Sequence, residues 1–378
     1  MLHHHDHHVQ WWHFFPSKEI NQVYLSMALR SLAISLISIF VPMYLYSELG
    51  YSLAETLGFF IFFSVIMAVT TPFAAKFASQ YGLKHSILLS VPFQVAFFFG
   101  LHQLKTVPIP LYLIAGLEGL AVSFYWMGMH LEFKRVSHRK HRGEEVGKRQ
   151  AVATLATLFG PVIGGALIKF VSFGIVFLLA SVLLAVSAIF LFASGEKHVP
   201  YKFSVKSLFN KRHWRDATYF SFRGVWVIAH AVLWPLFMFA VLQDYFSLGI
   251  IGTVAGLSTT ILLLTFGKLS DKKINKRTLV RWVTPFEALT WFIRGFFYTF
   301  GGFVFVSLLQ SLTLGLRSAP MVAIEYNHAK NNPVEFFIVR EVYICVGRIL
   351  ILSLVLLTAK LVPGFILTGL ASLSMFLL

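Results

Sequence analysis

The sequence predicts an all-α membrane protein of twelve spans, arranged as two pseudo-symmetric halves of six helices. Composition, the spacing of the apolar runs and the distribution of basic residues carry this reading. Of 378 residues, 57% are hydrophobic, 16% aromatic and only 13% charged, and the mean hydropathy is +0.73. Average soluble domains carry about 25% charged residues. Forty phenylalanines cannot be buried in soluble cores of this size without leaving large apolar patches outside. Gly (26), Pro (13) and Cys (1) are too few for collagenous, disordered or disulfide-rich classes. Cys345 lies in an apolar run, which fits a small core hydrophobe and no disulfide or CxxC pair.

A helix crossing a ~30 Å hydrocarbon layer needs about 20 apolar residues. Twelve stretches qualify: 20–46, 54–75, 85–104, 108–131, 150–170, 172–193, 216–243, 247–267, 279–300, 301–323, 335–359 and 361–378. The ninth and tenth are divided at Gly301-Gly302. The first run is too long for the apolar region of a cleaved signal.

Lysine and arginine concentrate in cytoplasmic loops. With the N-terminus inside, 23 of the 32 basic residues fall on the cytoplasmic side, against Lys105, Lys169 and Lys360 opposite. The remaining six are intramembrane: Arg30, Arg223, Arg294, Arg317, Arg340 and Arg348. The net charge of +16 is therefore a topology signal and not a nucleic-acid surface. Both termini are expected in the cytoplasm, and the short loops suit a multi-pass protein of a prokaryotic cell membrane. Residues 1–19 form a tail whose His3, His4, His5, His7 and His8 offer adventitious metal binding without the fixed spacing of a structural site.

The chain also repeats itself. Arg30 precedes Pro42 by twelve residues, and Arg223 precedes Pro235 by twelve at an offset of 193. Lys76 and Lys84 pair with Lys268 and Lys276 at 192, and Glu132-Phe133 pairs with Glu325-Tyr326 at 193. These matches divide the chain into halves 20–193 and 216–378, joined by a cytoplasmic linker over 194–215. Both prolines are expected to bend their helices near the outer ends.

At "GKLSDKKINKR" (Gly267 to Arg277) the sequence resembles the G-x-x-x-D-[RK]-x-x-[RK] loop of the major facilitator superfamily. Gly267, Asp271, Lys272, Lys276 and Arg277 carry the match. The first-half copy "AKFASQYGLKH" is degraded: Ala75 and Ser79 replace the Gly and Asp, while Gly82 and Lys84 remain. "LFGPVIGG", with Gly160, Pro161, Gly164 and Gly165, resembles the helix 5 motif of that superfamily's drug–proton antiporters. The resemblance implies a secondary transporter that alternates access around a midplane site. Physically, Gly267 permits close helix approach, Asp271 can cap or pair, and the basic residues sit at the anionic surface. The helix 5 glycines clear a face for packing, and Pro161 bends the helix.

Ionisable groups inside a bilayer are costly and mark functional sites. Glu118, Glu287 and Glu341 are the candidate proton-coupling acids. Glu118 lies in "IAGLEGLAV" with no basic neighbour in sequence, so its charged form is disfavoured. Glu287 and Arg294, seven apart, share a helix face. Arg30, Arg223, Arg294, Tyr125, Trp126, Trp226 and Gln310 are the cavity candidates; Phe124 and Trp234 add aromatic surface that fits lipid or interface equally. Arg30 and Arg223 occupy duplicated positions. They resemble the paired arginines of organophosphate–phosphate antiporters, with snorkelling to the interface as the alternative.

The leading expectation is a monomeric, proton-coupled secondary transporter of a small solute with no cofactor, in the style of drug antiporters or efflux pumps. Exchange of an organic anion or phosphate through Arg30 and Arg223 is the alternative within transport. From other classes, a transport-inactive sensor or scaffold and a membrane enzyme stay open. No Walker sequence supports ATP-driven pumping.

Overall fold

The computed structural model describes residues 18–136, 153–192, 198–210, 214–273, 276–329 and 332–377. These contain helices and turns and no strand. The His-rich stretch 3–8 lies outside the described residues, as do the side chains of Gly267, Asp271 and Lys272.

Twelve helical rods follow in order. The first, α1 (Lys18–Ser35), continues through a short turn at Val41–Met43 into a π-helical turn at Tyr44–Glu48. Next come α2 (Leu53–Tyr81), α3 (Leu83–Gln103), α4 (Leu111–Val136), α5 (Gly160–Phe170) and α6 (Phe173–Phe192). The seventh rod, α7 (Trp214–Ile228), passes through a π-helical turn at Ala229–Leu233 and resumes over Trp234–Leu242. It is followed by α8 (Tyr245–Lys273), α9 (Lys276–Phe292), α10 (Phe300–His328), α11 (Pro333–Thr358) and α12 (Val362–Ser372). Among the described residues, nine helices are long and apolar enough to cross a membrane by themselves.

Both duplicated prolines lie beside π-helical turns, Pro42 just before one and Pro235 just after the other. Proline lacks the N–H that an α-helix needs, and the wider turn absorbs the mismatch. The boundary expected at Gly301-Gly302 falls earlier. Helix α9 stops at Phe292, Arg294–Phe296 form a 3₁₀ turn, and Thr299 caps α10 by accepting the Gly302 N–H at 3.1 Å. A cap defines a helix start more strongly than a glycine pair does. Ser52 and Glu55 form a reciprocal capping box at the start of α2.

The packing repeats with a period of six helices. In the first half α3 lies on α4, α2 on α4, α1 on α6 and α3 on α6; in the second, α9 lies on α10, α8 on α10, α7 on α12 and α9 on α12. The two largest crossings between the halves are α2 with α11 and α5 with α8. At the second, Gly165 lies against the Tyr245 carbonyl and Gly249 against the Pro161 carbonyl, so neither position has room for a Cβ. Gly160 and Gly164 give α1 the same access, at Ser35 and the Leu36 carbonyl. A large apolar core, with Phe40, Tyr44, Phe59, Trp234 and Phe303 fully or nearly buried, fills the half of the bundle remote from the chain termini. A smaller one, including Ala74, Ala78, Leu131, Tyr326 and Phe337, closes the end that carries them.

Candidate functional site

Three polar clusters interrupt this apolar interior. The first belongs to the N-terminal half. Arg30 on α1 donates to Ser90 and to the Gln94 side-chain oxygen on α3, each at 3.3 Å. The amide of Gln94 then donates to Glu118 on α4 at 2.5 Å. The Arg30 guanidinium also lies 3.9 Å from the Tyr125 ring centroid. Arg30 is buried (6% exposed), so it does not snorkel. Among the described residues Glu118 is in direct ion-pair contact with no arginine; the Gln94 amide stands between it and Arg30.

Glu118 and Gln94 open on a cavity of about 180 Å³ between the halves. Phe59, Phe60, Phe63, Phe97 and Phe98 line it from the first half, Val227, Ile228, Ala231 and Val232 of the seventh rod from the second, and Arg348 of α11 reaches in as well.

The second cluster lies wholly in the C-terminal half. Glu287 on α9 accepts from the Gln310 amide at 2.7 Å, the Trp226 indole at 2.6 Å, the Trp291 indole at 3.2 Å and the Thr313 hydroxyl. Arg317 pairs with it at 3.3 Å. Arg294 does not pair with Glu287 through a shared helix face, because α9 has already ended; its guanidinium donates to the Gln310 oxygen at 2.8 Å. Arg294 is sandwiched by aromatics, 3.6 Å from the Trp291 centroid and 4.4 Å from that of Trp234. Arg317 lies 4.6 Å from that of Trp226. Trp226, Trp234 and Trp291 thus serve as partners for buried cations.

The third cluster joins the halves at the end carrying the termini. Glu325 on α10 pairs with Arg223 and with Arg340, at 3.2 Å for the latter, and accepts from the Tyr219 hydroxyl at 2.8 Å. Glu341 pairs with Arg340 and with His130 of α4, 3.1 Å away. The other ring nitrogen of His130 faces the Tyr326 hydroxyl at 2.5 Å, and the ring is stacked between Trp126 and Phe337. Lys134 adds a 2.6 Å bond across the same seam to the Tyr326 carbonyl. Arg223 is therefore engaged by a carboxylate here, and Arg30 and Arg223 do not form a matched pair. At the other end, Lys169 bridges to Asp244 at 2.9 Å. Partial burial opposes ionisation of Asp244, but Lys169 and the Ser247 hydroxyl and N–H outweigh it and hold the carboxyl below its usual range.

Of the loop motif, Gly82 has a positive φ of 117° between α2 and α3, which glycine tolerates. Lys84 is buried at 1% exposure, not at the lipid surface, because the first turn of α3 enters the terminal core beside Leu83. Lys276 is half-buried and Arg277 exposed. Gln94, Arg348, His130 and Glu325 were not singled out as cavity or coupling residues by sequence. For Gln94 a signal existed, since an offset of 193 places it opposite Glu287. Among the described residues no group of three or more His, Cys, Asp or Glu is poised to hold a metal.

The family profile described as the Major Facilitator Superfamily matches residues 23–248. A curated relative, "Uncharacterized protein YqgE" of Bacillus subtilis (strain 168), is 23% identical over 351 residues, covering 88% of this chain and 81% of that protein. Among solved structures, the human organic anion transporter MFSD10 (TETRAN) superposes with a TM-score of 0.65 at 13% identity, over 96% of this chain and 100% of that one. At that identity the likeness shows the fold.

Proposed function

Because this chain belongs to the Major Facilitator Superfamily and is built as a multi-pass secondary transporter of small molecules, we propose that it couples its substrate to protons through Glu118. The observation that carries this is the contrast in partners. Glu287, Glu325 and Glu341 each sit against an arginine. Glu118 accepts from a neutral amide and faces a cavity. A carboxyl in that position can take up and release a proton without breaking a buried ion pair. The crossings of α2 with α11 and of α5 with α8 are the surfaces on which the halves rock, and the His130–Glu341–Tyr326 seam is the contact that parts when the terminal end opens.

In this reading both termini are cytoplasmic in a cell membrane, and the chain works as a monomer with halves 20–193 and 216–378 around the linker. Coupling by antiport, as in efflux, requires proton and substrate to compete for the cavity; the resemblance of the helix 5 motif supports it. Asp271 with its basic neighbours is the conformational loop. A cysteine at Lys105 and another at Lys140 will label from opposite faces, and labelling of both from one face overturns the topology.

Glu118 is tested in proteoliposomes loaded with a pH-sensitive dye, across a panel of solutes with and without an imposed pH gradient. Glu118→Gln should abolish gradient-driven accumulation while leaving solute exchange measurable. Full accumulation by the variant would move coupling to Glu287 or Glu341.

A further inference from the structure

Arg348 takes no part in the three polar clusters described above. It sits midway along α11, is 8% exposed and lines the inter-half cavity. Its Nη1 donates to the Met67 sulfur at 3.2 Å, a weak acceptor, and its Nε is buried with no hydrogen-bond partner. Among the described residues no carboxylate lies within ion-pair distance of it. The Phe63 ring, 5.5 Å from its guanidinium carbon, is the nearest aromatic support. Arginine is never deprotonated in proteins, so this charge stays in place. A buried, half-unsatisfied guanidinium is costly unless something else completes it.

Charge around the cavity points the same way. Arg30 and Arg348 face it or its polar wall, and Glu118 is the single acid among them, which leaves an excess of one positive charge. The second cluster also carries two arginines on one acid, but there Trp226, Trp234 and Trp291 cover the cations. The cavity of about 200 Å³ beside its Thr290 and Thr313 is lined by neither arginine, and Arg317 reaches only a pocket of about 10 Å³. In the N-terminal cavity the remaining lining is almost wholly apolar, with five phenylalanines from the first half. At about 180 Å³ it has the volume of roughly six liquid waters, room for a ligand of roughly ten non-hydrogen atoms.

We propose that the substrate is a small amphipathic monocarboxylate, whose carboxylate takes the open donors of Arg348 while its aryl or alkyl body packs on Phe59, Phe63 and Phe97. A planar guanidinium offers two parallel N–H groups to a carboxylate, and a single negative charge neutralises the excess. The proposal rests on the transporter reading of the same cavity, but it concerns equilibrium binding and does not require that Glu118 move protons.

The test is binding to the full chain in detergent micelles, by calorimetry, with phenylacetate, hexanoate, their uncharged amides and phenethylamine. The acids should bind and the amides should bind roughly 10- to 100-fold more weakly, the range of a charge-assisted hydrogen bond. Arg348→Gln should remove that preference for acid over amide, and Arg348→Lys should keep part of it. Should Arg348→Gln fail to fold, the acid–amide comparison on the unaltered protein and on Arg348→Lys decides alone. Equal binding of acids and amides overturns the proposal, as does acid binding that Arg348→Gln leaves unchanged. Preference for phenethylamine also overturns it and makes Glu118 the anchor. Binding of the acids to both the unaltered protein and Glu118→Gln, together with transport indifferent to a pH gradient, would sustain this inference and sink proton coupling.

Discussion

The acid–amide pairs of the two halves occupy the same register with their members exchanged. In the first half the amide, Gln94, is on the third helix and the acid, Glu118, on the fourth. In the second half the acid, Glu287, is on the ninth and the amide, Gln310, on the tenth, at offsets of 193 and 192. The surroundings differ far more than the pair itself. Glu287 is fully buried and held by an arginine, two indoles, a hydroxyl and the amide. Glu118 has the amide as its hydrogen-bond partner, Arg30 and Arg348 at longer range, and an adjoining cavity. A duplicated scaffold can thus place two acid–amide pairs equivalently and yet make one carboxyl a structural counter-ion and leave the other beside a cavity.

The largest test of this contrast is Glu287→Gln. It strands Arg317 and Arg294 in an apolar interior, and removal of one partner of a buried pair costs about 3–5 kcal/mol. A sharp loss of thermal stability and of folded yield is expected, measured on detergent-solubilised protein. Glu118→Gln, which breaks no direct ion pair, should melt within about 1 kcal/mol of the parent. Equal stability of the two variants would erase the distinction between the halves.

A finer version compares the amides. Gln310→Leu severs the link between Arg294 and the Glu287–Arg317 pair, two buried charged groups at once, whereas Gln94→Leu leaves Arg30 its bond to Ser90 and Glu118 its cavity. An unsatisfied buried partner costs about 1–3 kcal/mol. Gln310→Leu should therefore destabilise by about that amount and Gln94→Leu by less, as read from paired melting curves. The reverse order would mean that the N-terminal cluster is the tighter one.

The smallest effect is expected at the far end. Asp244→Asn removes an exposed pair with Lys169, worth about 0.2–1 kcal/mol. Because the carboxyl is held below its usual range, its contribution is complete above about pH 4, the unfolded value. It is lost as the pH falls through the lower, folded value. Parent and variant should differ slightly in melting temperature at pH 7 and converge in strong acid. A difference that persists unchanged in acid would assign Asp244 to backbone capping through Ser247 alone.

Much of the architecture was legible from residue order. Bilayer thickness imposes a length on every apolar run, basic residues report sidedness, and duplication doubles each landmark, so Arg30 and Pro42 predict Arg223 and Pro235. These are local or statistical properties of the chain, and the helix count and the all-α class follow from them; the superfamily rested on the resemblance of the loop and helix 5 motifs. Even Glu118, Glu287 and Gln310 are conspicuous, since a polar group in an apolar run stands out without any knowledge of its neighbours.

What each intramembrane charge meets was decided only by tertiary structure. Sequence spacing joined Glu287 to Arg294 along one helix, but the helix ends between them and the true counter-ion, Arg317, comes from α10. Duplication joined Arg30 to Arg223, yet Glu325 claims Arg223 while Arg30 turns to Gln94. Arg348 looks like any other arginine in a span until α2 and α11 cross and bring it to Met67, with no carboxylate among the described residues in direct ion-pair contact. A buried charge is governed by partners within a few ångströms, supplied by helices far apart in the chain. Periodicity along one helix carries no record of which neighbour will face it.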